Sequence, residues 1–316
     1  MKSGPDGVSD ADVAAVLASG WGLRDLPLRY APVGAGSYHW TAGRFFVTVD
    51  DLSDKPWLGC GHDEVLTGLA TAMDTARALA ALPFVLAPIP AVSGSVVRPL
   101  GDRYAVTVFP YLDGVAGEWG AHRDAGERAE VLDMLAALHT ATVSVPVPPR
   151  PVVLPGRAAL EAALEDPCAV GGPYVVGGPY AEPVRALLTE AAPRIRDLLA
   201  TFDLLAAALP GLPMVITHGE PHPGNVIRTA AGPKLIDWDT VGLAPPERDL
   251  WFLADGAFAR YEAATGYRPA PAAVDLYRLR WRLDDIAAYL TDLRQATHPT
   301  PDTDHALTTL QALTSP

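Results

Sequence analysis

A chain of 316 residues, 49% hydrophobic and 19% charged, is long enough for one large domain or two lobes around a sizeable core. Its formal net charge of −13 excludes the basic footprint of a nucleic-acid-binding surface, and suits either small cationic substrates or simple solubility. No run approaches the ~18 apolar residues of a membrane span, the first residues lack an apolar core of signal-peptide length, and the isolated Cys60 and Cys168 exclude a disulfide framework or thiolate zinc site, so a cytoplasmic protein without nucleic-acid or membrane partners is expected.

In chain order, "VSDADVAAVLASGWG" reads as a helix capped by Ser9 or Asp10 and ended at Gly20. "LRYAPV", "SYHWTA" and "RFFVTVDD" read as strands separated by glycine turns. From Glu64 to Leu82 the apolar positions Leu66, Leu69, Met73, Ala76 and Ala80 fall at helical spacing. "GSVVRPL" and "RYAVTVF" form an expected hairpin across Gly101 and Asp102. After "FPYLDGVAG" the pattern changes, and "AGERAEVLDMLAALHTAT" is a helix with Leu132, Leu135 and Leu138 inward. The stretch 144–180, rich in Pro and Gly and holding "VGGPYV" then "VGGPY", is expected to be a loop, either a substrate lid or an insertion. Helices follow from about Glu182 to Leu209. Next come the short strand "MVIT" and the strands "NVIRT" and "KLIDW", joined by a turn at Ala231 and Gly232. From "PPERDLWFL" onward the chain reads as helical, with Leu276, Leu279, Leu283, Ile286 and Leu290 as a buried stripe. The expected class is α+β: a strand-rich N-terminal lobe over residues 1–108, a connector near 108–114, and a helix-rich lobe over residues 109–316. A cleft between lobes is a common place for a ligand.

"VITHGEPHPGNVIR" places His218, Glu220, His222 and Asn225 within eight residues. His-x-Glu opens the zinc deaminase signature, but neither cysteine lies downstream of Glu220. The His-Glu-x-x-His zinc helix fails on spacing, and Pro221 and Pro223 oppose a helix. Phosphoryl transfer needs a residue that orients the acceptor hydroxyl and oxygen ligands for Mg²⁺. Asn225 and Asp237 lie at the two ends of the predicted hairpin, so their side chains could converge, with Glu220 facing the acceptor.

"HGEPHPGN", followed by "LIDWDT" and "PPERDL", resembles the aminoglycoside phosphotransferase and choline kinase-like family, whose hallmark is His-Gly-Asp-x-His-x-x-Asn and then Ile-Asp-Trp-Asp/Glu. The resemblance implies a protein-kinase-like fold, ATP in the interlobe cleft, and a small hydroxylated acceptor, with an aminoglycoside-like antibiotic as a candidate. It implies a catalytic loop with Glu220 as the base beside His218, His218 and His222 serving to order the loop, and Asn225 and Asp237 as holders of Mg²⁺. It further implies that Phe109, Tyr111 and Leu112 meet adenine through their backbone, while Gly34, Gly36 and Ser37 cover the phosphates. Three positions depart from the family. Glu220 stands for its catalytic Asp; Thr48 stands where its ATP-binding Lys belongs; and the helix Glu that pairs with that Lys appears as Asp74 or Glu64. Lys55 and Arg98 are candidate substitutes for the cation. These departures keep open a nucleotide-binding pseudokinase with a regulatory role, and a kinase for a metabolite or protein. His139 reads as a core histidine with one nitrogen satisfied, and His62 and His122 as surface residues. Asp249 is expected to anchor the catalytic loop through hydrogen bonds. Asp239, and Asp284 and Asp285 beside Trp281, either face a cationic acceptor or form a solvated acidic edge.

Overall fold

Alternation of apolar and polar residues builds the first sheet. The computed structural model describes residues 1, 4–34, 36–118, 124–166, 178–209, 211–253 and 258–315. β1 (Leu28–Ala31), β2 (Tyr38–Ala42), β3 (Phe45–Asp51), β4 (Val97–Leu100) and β5 (Tyr104–Pro110) form an antiparallel sheet in the order β1-β2-β3-β5-β4. The register sets Thr48 opposite His39 and Thr107, and Asp50 opposite Ala105. Successive strand residues face opposite sides. Trp40, Val47, Val49, Val106 and Val108 therefore share one face, and His39, Phe46, Thr48, Asp50 and Phe109 the other.

The first face is closed by α1 (Asp10–Trp21), whose Val13, Leu17 and Trp21 join its core. Ser9 caps this helix in a reciprocal box with Asp12. The stop is Gly22, with φ of 68°, and not Gly20. Gly20 lies buried in the last turn, where an added Cβ would meet the Arg98 side chain at ordinary contact distance. The second face shares a core with α2 (His62–Ala78) through Val65, Leu69, Met73 and Ala76.

Beyond β5, β6 (Gly114–Ala116) leads to α3 (Ala125–His139), which buries Leu132, Leu135 and Leu138 as its periodicity requires. The chain runs through α4 (Arg157–Glu165) and α5 (Ala181–Ala208) before β7 (Val215–Thr217). β8 (Val226–Thr229) and β9 (Gly232–Leu235) form the predicted hairpin, with β6 as the third strand of their sheet. β10 (Gly242–Ala244) pairs with β7, and α6 (Glu247–Leu250) and α7 (Ala259–Thr265) follow. α8 (Pro271–Gln295) and α9 (Pro301–Thr314) complete the chain.

These elements divide into two compact units, Met1–Arg150 with Pro213–Arg268, and Pro151–Leu212 with Pro269–Pro316. The boundary expected after residue 108 falls inside the first unit. The second unit holds α4, α5, α8 and α9 around Leu160, Leu188, Ile195, Leu283, Ile286, Leu290 and Leu310. α4 stands within the stretch expected to be a loop; most of the "VGGPY" repeat, with Cys168 and His122, lies outside the described residues. Among the described residues no helix is long and apolar enough to cross a membrane.

Candidate active site

The loop after β7 is fixed from below by one buried carboxylate. Asp249 Oδ2 accepts the His218 N–H at 2.8 Å, and Oδ1 accepts the Gly219 N–H at 2.6 Å. His139 Nε2 lies 3.0 Å from Asp249 Oδ2, and its Nδ1 lies 2.7 Å from the Tyr261 hydroxyl. A carboxylate only accepts, so Nε2 carries the proton and Nδ1 accepts from Tyr261. Both nitrogens of His139 are therefore satisfied, one more than the sequence led us to expect. Burial is the largest influence and works against the charge on Asp249, but the His139 hydrogen bond together with the charges of His139, Arg248 and His218 holds the carboxyl below its ordinary range.

The same logic fixes Glu220. His218 Nε2 lies 2.8 Å from the Ile236 carbonyl and must donate to it, so Nδ1 is left to accept the Glu220 N–H at 3.2 Å. Burial pushes His218 down to about 4, which keeps this ring neutral. The Glu220 carbonyl accepts Asn225 Nδ2 at 3.0 Å. Glu220 is thus gripped at both backbone ends, with its side chain half-buried. His218, placed beside it in the expected catalytic set, has both ring nitrogens on backbone groups.

Gly219 has φ of 104°, a region that disfavours side chains, and an added Cβ would overlap the Arg248 guanidinium. That guanidinium donates to Thr217 Oγ1 at 2.8 Å and to the Thr240 carbonyl at 2.9 Å. Gly219→Ala is expected to add ~1–3 kcal/mol of backbone strain and to displace a buried charged donor. A fall of several degrees in melting temperature should accompany loss of activity. A variant with wild-type melting and turnover would show that the loop absorbs the methyl group.

The β8–β9 hairpin does what its spacing promised. Val226 pairs with Leu235, and the Ile236 N–H donates to the Asn225 carbonyl at 3.0 Å, which brings Asp237 next to Asn225. Asp237 has φ of 66°; among the described residues only Asp25 is another non-glycine with positive φ. Strain of this kind persists where the surroundings over-determine it. Here Trp238 is fully buried and donates to the Leu235 carbonyl at 2.9 Å. The Asp237 side chain is exposed, beside the buried Trp238 and Asp239. Desolvation by the surrounding protein, then Asp239 and Glu220, raise its pKa well above the ordinary value against the pull of Lys55.

These donors fit Mg²⁺. Asp237 and Asn225 offer one carboxylate and one amide oxygen in a surplus of negative charge. Among the described residues no group of three or more His, Cys, Asp or Glu could hold a metal. The protein would supply few ligands, and water and phosphate the rest, which is how Mg²⁺ binds with nucleotides.

The glycine loop was expected to cover phosphates. Gly34 and Gly36 have φ of 70° and 79°, which lets backbone approach a ligand closely. Ser37 instead turns inward and donates to Asp50 Oδ1 at 2.7 Å. Thr48 Oγ1 lies 3.3 Å from His39 Nδ1, so no cation stands on β3. Burial pushes His39 down to about 4, with the Met1 ammonium and Lys55 adding to it. Glu64 and Asp74 are both exposed, and Glu64 accepts the Cys60 N–H at 2.8 Å. Arg98 pairs with Val106 and shares its face, toward α1. Lys55 is the cation on the Asp50 side, 2.6 Å from Asp239 and 3.0 Å from Asp50. Asp239 is accordingly 5% exposed, with its carboxylate on Lys55 and not on an acceptor. The signal for Asp50 was available: it shares strand parity with Thr48, and an inward charge demands a partner.

At the connector, Phe109 pairs with Phe46, Pro110 has no N–H, and the Tyr111 N–H donates to the Arg44 carbonyl at 2.9 Å. Of the connector's N–H donors, that leaves Leu112 for the expected adenine contact. Asp284 and Asp285 lie on α8 in the second unit, and Asp284 is 3.0 Å from Arg280. Burial raises them to about 6 and about 7, with Asp284 adding to the shift of Asp285. Between pH 4 and 7 the folded state then holds more protons than the unfolded chain, so this pair costs stability as pH rises through that window. Asp285→Asn should raise the melting temperature at pH 8 and leave it little changed at pH 4. Equal effects at both pH values would contradict the shift.

The profile of the phosphotransferase enzyme family, APH, matches residues 39–302. Protein StrN of Streptomyces griseus is 30% identical over 289 residues, which cover 85% of this chain and 80% of StrN. Among solved structures, spectinomycin phosphotransferase APH(9)-Ia in complex with ADP and spectinomycin aligns with a TM-score of 0.73 at 16% identity, over 98% of this chain and 96% of its own. The gentamicin complex of APH(2")-IIa aligns at 0.56 and 15% identity, over 97% and 96%. At such identities these structures speak for the fold, and it is the α+β, protein-kinase-like fold expected from the sequence.

Proposed function

Since the chain belongs to the APH phosphotransferase family, and is on that ground a small-molecule phosphotransferase with a hydroxyl acceptor, we propose that its donor is ATP with Mg²⁺ and its acceptor an aminoglycoside-like antibiotic. The observation that carries this reading is the convergence of Glu220, Asn225 and Asp237 through the Asn225–Glu220 and Ile236–Asn225 hydrogen bonds. Nucleotides and antibiotics bound to the spectinomycin and gentamicin phosphotransferases support the choice of donor and acceptor class. Transfer from ATP also implies a compartment that holds ATP, so a cytoplasmic location belongs to the proposal.

In this reading Glu220 orients the acceptor hydroxyl and takes its proton as the oxygen attacks the terminal phosphorus and ADP leaves. His218 and Asn225 act through Glu220, by holding its N–H and carbonyl. Asn225 and Asp237 would hold Mg²⁺, which when bound neutralises charge on the phosphate oxygens. Gly34 and Gly36 let the loop backbone approach the phosphates, and Leu112 meets adenine. The pseudokinase reading rests on Thr48 in place of a strand lysine. Lys55, buried beside Asp50 and Asp239, weakens it. The test is phosphorus NMR of ATP and Mg²⁺ with aminoglycosides, choline-like alcohols, sugars and nucleosides. A phosphate monoester on an aminoglycoside is expected. Transfer only to another class would overturn the acceptor assignment, and none to any acceptor would favour the pseudokinase.

A further inference from the structure

One buried lysine joins three segments that phosphoryl transfer would use. Lys55 is 3% exposed. Its Nζ lies 2.6 Å from Asp239 Oδ2, 3.0 Å from Asp50 Oδ1 and 3.5 Å from Ser37 Oγ. An ammonium has three N–H donors and no acceptor; one goes to Asp239 and a longer one to Ser37, with Asp50 in ion-pair range. Ser37 closes the glycine loop, Asp50 lies on β3, and Asp239 is two residues past Asp237. Arg150 fastens the same region, donating to the Trp57 carbonyl at 2.7 Å and the Asp239 carbonyl at 3.0 Å.

Charge makes this arrangement consequential. Asp50, Asp239 and Glu220 all act on the charge of Asp237, and among the groups that do so Lys55 is the cation, paired with Asp50 and Asp239. A polyphosphate entering beside Asp237 meets every carboxylate left uncompensated. Building on the phosphotransferase reading, we propose that Lys55 is a positioning residue of the nucleotide site: it neutralises Asp50 and Asp239 and fixes the Ser37 end of the glycine loop against the turn carrying Asp237, without touching phosphate. Its burial and its two acidic partners turn its charge inward, away from a ligand. It takes over the organising task of the expected strand lysine and helix glutamate, with acidic partners from β3 and the Asp237 turn. α2 contributes neither, because Glu64 and Asp74 face solvent.

The test compares wild type, Lys55→Met, and Lys55→Met with Asp239→Asn, by calorimetric binding of Mg-ATP and by melting temperature. Lys55→Met adds one uncompensated negative charge, and the double variant returns the site to its original net charge. We expect Lys55→Met to weaken Mg-ATP binding at least tenfold, and the double variant to recover at least threefold of that loss. A double variant as weak as the single one would mean that Lys55 contacts phosphate directly, and would overturn the proposal. So would a Lys55→Met protein that melts lower yet binds Mg-ATP like wild type, which is a purely structural role. If Lys55→Met does not fold, the double variant decides: removal of both members of a buried pair is far better tolerated than removal of one. It should then bind Mg-ATP within about threefold of wild type, and tenfold weaker binding would contradict the proposal. Wild type that binds no Mg-ATP would instead overturn the phosphotransferase reading itself.

Discussion

Glu220→Gln should lower phosphate transfer by about two orders of magnitude or more, within the usual range for general-base catalysis, while ATP binding stays close to wild type. Gln keeps the length of the side chain and removes the charge that accepts the hydroxyl proton. The backbone does not depend on that charge, because His218 holds the Glu220 N–H and Asn225 holds its carbonyl. Glu220→Asp should also fall. The carboxylate retreats by one C–C bond, roughly 1.5 Å, and a misplacement of ~1 Å can cost ~100-fold. A loop gripped at both ends, with Pro221 and Pro223 stiffening it, cannot slide forward to compensate. Steady-state rates with a confirmed acceptor make the comparison. If Glu220→Gln transfers phosphate as fast as wild type, Glu220 is not the base.

Asp237→Ala should abolish Mg²⁺-dependent nucleotide binding. Asp237 is the carboxylate among the proposed metal ligands, and its surroundings add to its negative charge through Asp239 and Glu220. Alanine removes the ligand and leaves Asn225 with a neutral oxygen, which is a poor partner for a hard dication. Asp237→Asn is the matched control. Asn tolerates positive φ better than Ala, so it keeps the turn and an oxygen while losing the charge. Titration of ATP with Mg²⁺ and then with EDTA separates the outcomes. Wild type should bind in the first and weaken sharply in the second, whereas Asp237→Ala should bind weakly in both. An Asp237→Ala protein that binds and turns over Mg-ATP like wild type would remove Asp237 from the metal site.

What the sequence made legible follows from how local each signal is. β2, β3, β5 and the β8–β9 hairpin carry their own alternation, and the hairpin alone sufficed to bring Asn225 and Asp237 together. β6 and β10 are three residues each and exist through partners far away, as where Gly242 pairs with Thr217. No local period announces such strands. α4 was hidden because Pro- and Gly-rich flanks dominated its window, although "RAALEAALE" itself suits a helix. Gly20 misled because glycine signals a stop only where the chain must turn left-handed, and that turn comes at Gly22. In the site, the motif residues were readable from type and spacing. The Lys55–Asp239 ion pair was not, since its partners are 184 residues apart and a charge does not name its partner. Likewise the inward turn of Ser37 depends on Asp50, and strand parity that sets Asp50 inward does not say which hydroxyl meets it.

The most direct measurement is anomalous diffraction from crystals grown with Mn²⁺ and a nonhydrolysable ATP analogue. A manganese peak is expected on the Asp237 carboxylate and the Asn225 amide oxygen, with adenine against the Leu112 backbone and the terminal phosphate toward Glu220. A peak on other residues, or a nucleotide lying away from both the connector and the 218–225 loop, would contradict this assignment.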